Sequence, residues 1–69
     1  MKLHPVESSN ISALGYDEKT GELHVKFNSG TQYAYAGVPL DTYEELIQAE
    51  SIGSFFYHHI KGKYGGRKA

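Results

Sequence analysis

Residues 22–27, ELHVKF, alternate without a break, with Leu23, Val25 and Phe27 on one side and His24 and Lys26 on the other. That period of two is the mark of a half-buried antiparallel strand. Upstream, Ile11 to Asp17 (ISALGYD) predicts a first strand, joined to 22–27 by the turn segment Glu18-Lys19-Thr20-Gly21. Downstream, Asn28-Ser29-Gly30 places a glycine third in a three-residue loop, which suits a type I turn running into a G1 bulge. Thr31 to Ala36 then predicts a third strand. These loop lengths fix the register, and a slip of one residue would exchange the faces. The three-residue loop pairs Phe27 with Thr31, Val25 with Tyr33 and Leu23 with Tyr35. The four-residue loop pairs Asp17 with Glu22, Tyr16 with Leu23 and Leu14 with Val25. One face then carries Leu14, Tyr16, Leu23, Val25, Phe27, Tyr33 and Tyr35, and the other Ala13, Gly15, His24, Lys26, Gln32 and Ala34. A two-residue Ser29-Gly30 turn would instead put the tyrosines on the opposite face.

After Gly37-Val38-Pro39 the period changes. Pro39 cannot donate to a ladder and restricts the residue before it, so the sheet ends there. Asp41 suits an N-cap, with Glu44 three residues on as a capping-box partner. Tyr43, Leu46 and Ile47 follow at helical spacing and predict a helix from about 41 to 50. Ser51 suits the N-cap of a second helix with Ile52, Phe55, Phe56, His59 and Ile60 as its apolar stripe. Ser54, Tyr57, His58 and Lys61 point away, and Gly62 ends it. Gly53 would let the two short helices approach closely. The fold class expected is α+β, a three-stranded antiparallel meander with two short helices packed on one face (β-β-β-α-α). The domain is single, spanning 1–69, with a polar lead-in over 1–10 and a flexible basic tail over 65–69.

Composition sharpens this outline. A chain of 69 residues buries only about 60% of the surface its unfolded form exposes, so its core is thin. With no cysteine there is neither a disulfide framework nor a thiolate zinc site. Six tyrosines and three phenylalanines are left to supply much of the buried area. The start, MKLHPVESSN, has no apolar run like that of a signal peptide, and no segment is long and apolar enough to span a bilayer. The default is therefore cytoplasmic, with no membrane partner. Net charge is −1, but residues 1–50 hold all eight acids against three Lys or Arg, whereas 51–69 hold Lys61, Lys63, Arg67 and Lys68 and no acid. Such asymmetry points to an anionic partner, or to attraction between the two halves.

An ordered set of residues resembles a known family. Ser8-Ser9 and Ile11 lead into Gly15-Tyr16-Asp17, Leu23-x-Val25-x-Phe27 and the glycine turn. Tyr33-x-Tyr35, Val38-Pro39, Tyr43, Ala49-x-Ser51-x-Gly53, Phe56, Ile60 and Tyr64 complete it. Together these resemble the KTSC domain, a module found alone in bacterial and phage proteins and fused to the C-terminus of some lysyl-tRNA synthetases. The resemblance covers nearly the whole chain. What it implies for function is an RNA-binding role suggested by that fusion.

Three places are candidates for contact. Tyr33 and Tyr35 could form a base-stacking platform or lie in the core beneath the helices. The register favours the core, with Tyr35 nearer the surface at the sheet's end. The face holding His24, Lys26 and Gln32 lacks aromatics and reads as a solvated sheet face. The end of the second helix and the tail gather His58, Lys61, Lys63, Tyr64, Arg67 and Lys68. Four cations within eight residues could displace counterions from phosphates, with Tyr64 a ring among them. The same cations would also complement a helix dipole in a frayed tail.

Catalysis finds no matching constellation. No serine sits in a nucleophile elbow, and the adjacent His58 and His59 diverge on a helix and are ill placed to share a metal. The expectation is a small non-catalytic binding module without metal or cofactor. It would contact RNA, with tRNA the candidate class, through its basic C-terminal segment, with Tyr35 as an added ring. The alternative is a protein-interaction or homo-oligomerising module with no nucleic-acid role.

Overall fold

The tight turns set the sheet. In the computed structural model, which describes residues 3–69, Phe27 N–H donates to the Thr31 carbonyl at 2.8 Å and Gly30 N–H to the Phe27 carbonyl at 2.9 Å. Gly30 has φ 95°, a left-handed conformation that only glycine enters at low cost. The strand after the loop therefore takes the register that its length dictates. Val25 lies opposite Tyr33 and Leu23 opposite Tyr35, while Leu14, Tyr16 and Asp17 face Val25, Leu23 and Glu22. Both expected registers hold.

Among the described residues the meander has five strands, not three: β1 (His4–Pro5), β2 (Ile11–Asp17), β3 (Glu22–Phe27), β4 (Gln32–Tyr35) and β5 (Gly66–Lys68), antiparallel throughout and in chain order. The two additions come from the segments expected to be a lead-in and a flexible tail. Both are short, exposed edge strands without apolar alternation, held by backbone pairing that a hydrophobic pattern does not register. Pairing of the last segment extends beyond β5, from Ala36 N–H to the Gly65 carbonyl and from Ala69 N–H to the Gln32 carbonyl. Met1 and Lys2 of the lead-in lie outside the described residues.

Two helical segments cover one face. Helix α1 is Leu40–Gln48, and α2 is Ile52–Phe56, continued by a π-helical turn at Tyr57–Lys61. The capping box expected at Asp41 and Glu44 does not form. Pro39 occupies the cap position in an extended conformation without a side-chain bond, leaving Asp41 in the first turn, where it complements the helix dipole. Ser51 does cap α2, its Oγ accepting from Ser54 N–H at 3.3 Å. Ile52, Phe56 and Ile60 point into the core from α2 and the π turn. His59, expected in the apolar stripe, is exposed, because the wider i→i+5 turn rotates it outward against the Phe55 ring, 4.5 Å between centroids.

Beneath these segments, Ile11, Leu14, Leu23, Val25, Val38, Leu46 and Ile60 are the most deeply buried large side chains. Ile11 and Leu14 both reach the core because the pairing of β2 with β3 shifts by one residue between Ile11 and Ala13, a bulge that exchanges the facing of one strand end. Tyr16 ties α1 to the sheet. Its ring stacks on Tyr43 at 4.8 Å and 11°, and its hydroxyl donates to the Val38 carbonyl.

Candidate functional site

The helix-side face carries a closed circuit of four aromatic rings. Phe27 meets Tyr33 edge-on at 5.9 Å, Tyr33 lies 6.4 Å from Tyr35 at 26°, Tyr35 meets Phe56 at 5.4 Å, and Phe56 meets Phe27 at 5.6 Å. Each separation lies in the range where aromatic pairs attract beyond their buried area. Three of the rings come from one face of β3 and β4, and the fourth from the end of α2.

Burial divides the two tyrosines in the reverse of the expected order. Tyr35 is 5% exposed, whereas Tyr33 is half-buried. The cause is β5, which brings Gly66 opposite Tyr35. The Tyr35 ring lies so close over Gly66 that a methyl group there would overlap it. Burial raises the Tyr35 hydroxyl pKa above its ordinary value, with a further rise from Tyr33 beside it.

These four rings line an open groove of about 540 Å³. Ser9, Asn10, Asn28 and Ser29 supply its polar groups, and Tyr57 and Lys61 come from the π turn. Long-range backbone pairing assembles the polar part. Asn28 N–H donates to the Asn10 carbonyl at 2.8 Å, and Asn28 Nδ2 donates to the Ser9 carbonyl at 2.8 Å. Gly53 faces this lead-in instead of α1, since a methyl there would come 3.2 Å from Ser8 Oγ and 3.8 Å from Asn10 Nδ2. Lys61 Nζ sits 5.0 Å from the centre of the Tyr57 ring, within cation–π range. Among the described residues, no acidic side chain lines the groove.

The opposite sheet face is organised differently. Glu22 accepts from Arg67 Nη2 at 2.8 Å and lies 2.8 Å from His24 Nε2, while His24 Nδ1 is 3.3 Å from Gln32 Nε2. Hydrogen bonding from Arg67, then from His24, holds the Glu22 carboxyl below its ordinary pKa. Ala34, paired with both His24 and Arg67, is fully buried under these side chains. The face expected to be a solvated sheet face carries polar groups that bond to one another, with Arg67 62% exposed and Lys26 exposed.

The family model described as the KTSC domain matches residues 7–64. The chain belongs to the KTSC domain family. A KTSC domain protein from Yersinia pestis has the same fold, with a TM-score of 0.95 and 38% identity over 99% of this chain and 96% of its own. A protein from Tsukamurella paurometabola is 39% identical over 62 residues, 90% of this chain and 92% of its own length. A lysine–tRNA ligase from Trichormus variabilis is 43% identical over 58 residues, 84% of this chain. That match spans only 10% of the ligase.

Within this KTSC domain the residues singled out from sequence are dispersed. Tyr35 and Lys61 line the groove. Lys68 is the register partner of Tyr33, so its side chain leaves the sheet on the groove side, beside that ring. Arg67 projects to the opposite face and engages Glu22. His58 is exposed on the π turn, its ring edge-on to Tyr57 at 5.7 Å. Lys63 is exposed in the following turn, and Tyr64 is partly buried against the core. Sequence reasoning left Phe27, Tyr57, Asn10 and Asn28 out of the site. Phe27 carried a signal as the last apolar residue of an alternating strand beside a turn, but the asparagines are joined only by tertiary pairing. Among the described residues, no group of three or more His, Cys, Asp or Glu is placed to hold a metal ion, and no helix is long and apolar enough to cross a membrane.

Proposed function

We propose that this KTSC domain is a non-catalytic binding module that contacts RNA in the cytoplasm, with the aromatic groove and its flanking lysines as the contact surface. The observation that carries this is an acid-free groove with an aromatic floor, bordered by Lys61 on the π turn and by Lys68 beside Tyr33. Rings supply sequence-tolerant stacking and cations displace phosphate counterions, the combination used by surfaces that bind single strands and loops. Relative to the basic tail expected from sequence, the surface moves toward the sheet, because Arg67 is engaged on the far face. Kinship with a segment of lysine–tRNA ligases makes tRNA the first ligand to try. Titration with mixed tRNA at low and moderate salt is the test. Salt-sensitive binding supports the proposal, and no binding at low salt overturns it.

A second reading, a protein-interaction or homo-oligomerising module, is favoured by Tyr57, 63% exposed at the edge of the groove. Light scattering during size-exclusion chromatography separates the two. A strict monomer across concentrations removes the self-association form.

A further inference from the structure

We infer that the juxtaposition of the Phe27–Tyr33–Tyr35–Phe56 ring circuit with Asn10, Asn28 and Lys61 forms a seat for one unstacked base of single-stranded RNA, not a surface for the side of a duplex. The inference rests on the RNA-binding proposal above and narrows it to a class of ligand.

Size is the first argument. About 540 Å³ lies within the roughly 300–1,000 Å³ of pockets that hold small molecules. A splayed-out nucleotide is of that scale, whereas the flank of an A-form helix meets proteins through riboses and phosphates over a wide, shallow surface. The chemistry of the lining is the second. Tyr33 and Phe27 are the half-buried members of the circuit, and they offer ring surface that paired, stacked bases could not reach. Asn10 and Asn28 bring amides to the same groove, and an amide matches the edge of a base with both a donor and an acceptor. With Asn28 Nδ2 donating to the Ser9 carbonyl at 2.8 Å and to the Ser8 carbonyl at 3.5 Å, its Oδ1 is the group it can offer a base. Charge is the third. Lys61 and Lys68 suit the few phosphates beside one extruded nucleotide, and Arg67, turned to the other face and bonded to Glu22, does not extend their line along a duplex.

The experiment compares two probes by fluorescence anisotropy at low salt: a single-stranded RNA of about ten nucleotides and the same sequence closed into a perfect hairpin stem. The single strand should bind more tightly. Y33L, which keeps apolar packing but removes the ring, should weaken single-strand binding about 5- to 150-fold, the effect of losing one base–aromatic stack. Y33F, which keeps the ring, should bind as the native chain does. N10A, away from the ring circuit, should change the ranking among homopolymeric single strands while leaving the salt dependence unaltered. Thermal melts of each variant confirm that it is folded. Equal or tighter binding of the hairpin overturns the inference and leaves the RNA proposal standing. So does single-strand binding that Y33L leaves intact. Binding of neither probe, nor of tRNA, overturns both. Concentration-dependent NMR shifts at Tyr33 and Asn10 without RNA would assign the groove to a second copy of the chain, against the inference.

Discussion

Arg67 reaches across the exposed face of the sheet, beside Ala34, to donate from Nη2 to Glu22 Oε2 at 2.8 Å. The pair joins the C-terminal edge strand to β3, skipping β4. Ala34 is what permits this, since a larger side chain there would stand in the path of the guanidinium. Arg67 is still 62% exposed, so the pair contributes little to stability by itself.

A pH dependence follows. Arg67 and His24 hold the Glu22 pKa below its ordinary value of 4.5. A carboxylate with a lowered folded pKa contributes stability that is present above its unfolded pKa and lost as pH falls through the folded one. Native protein should therefore melt slightly above E22Q near neutrality, and the gap should close as pH falls below the ordinary glutamate range. Melting curves of the two proteins across that range are the check. A gap independent of pH would mean that the carboxylate does not hold its partners in solution.

Gly66→Ala should loosen the last strand. The added methyl overlaps the Tyr35 ring, and overpacking of this kind costs about 1–3 kcal/mol. Hydrogen exchange should accelerate at the Ala36 and Ala69 amides, which pair with the Gly65 and Gln32 carbonyls, before it does at the amides of β3. Native protection at both positions, with an unchanged melting temperature, would show that the ring swings aside freely.

How far the chain announces itself differs by element. The register of β2, β3 and β4 was legible because loop length and a single glycine determine it locally, and Val25 opposite Tyr33 follows from counting. The edge strands were not. His4–Pro5 and Gly66–Lys68 carry no alternation, and the close fit of Gly66 under Tyr35 becomes visible only once β5 is known to pair with β4. The site was half legible. Lys61 and Lys68 stood out as cations, but Arg67 stood out equally, and one residue of strand alternation sends it to the opposite face. Asn10 and Asn28, eighteen positions apart, meet only after the first hairpin has closed.

Tyr16→Phe isolates one tether. It removes the hydroxyl bond to the Val38 carbonyl while keeping the stack on Tyr43, and should cost about 0.5–1.5 kcal/mol in denaturant unfolding. Burial, then the charges of Glu18 and Asp17, raises the Tyr16 pKa above its ordinary 10.0. A group with a raised folded pKa stabilises fully below its unfolded value and ceases to do so as pH rises through the folded one. An ultraviolet titration of the native protein should show tyrosine absorbance developing above the ordinary range, and Y16F should remove part of that late component. A curve superimposable on the native one would place the Tyr16 hydroxyl in water.

The cations flanking the groove should separate from the others in their effect on RNA binding. If Lys61 and Lys68 each neutralise one phosphate of a single strand, K61A/K68A should lower the slope of log affinity against log salt by about 1.4, at roughly 0.7 per contact. R67A removes the same formal charge per residue as either, but from the far face, where Glu22 already accepts from it. It should leave the slope nearly unchanged. K63A, in the exposed turn after the π segment, serves as the control for a cation of the same segment that is neither a lining residue of the groove nor a register partner of Tyr33. Equal slope changes from all four lysine and arginine positions would mean that RNA sees only the net charge of the C-terminal segment. The groove would then have no part in binding, and the surface would revert to the diffuse basic patch that the sequence alone suggests.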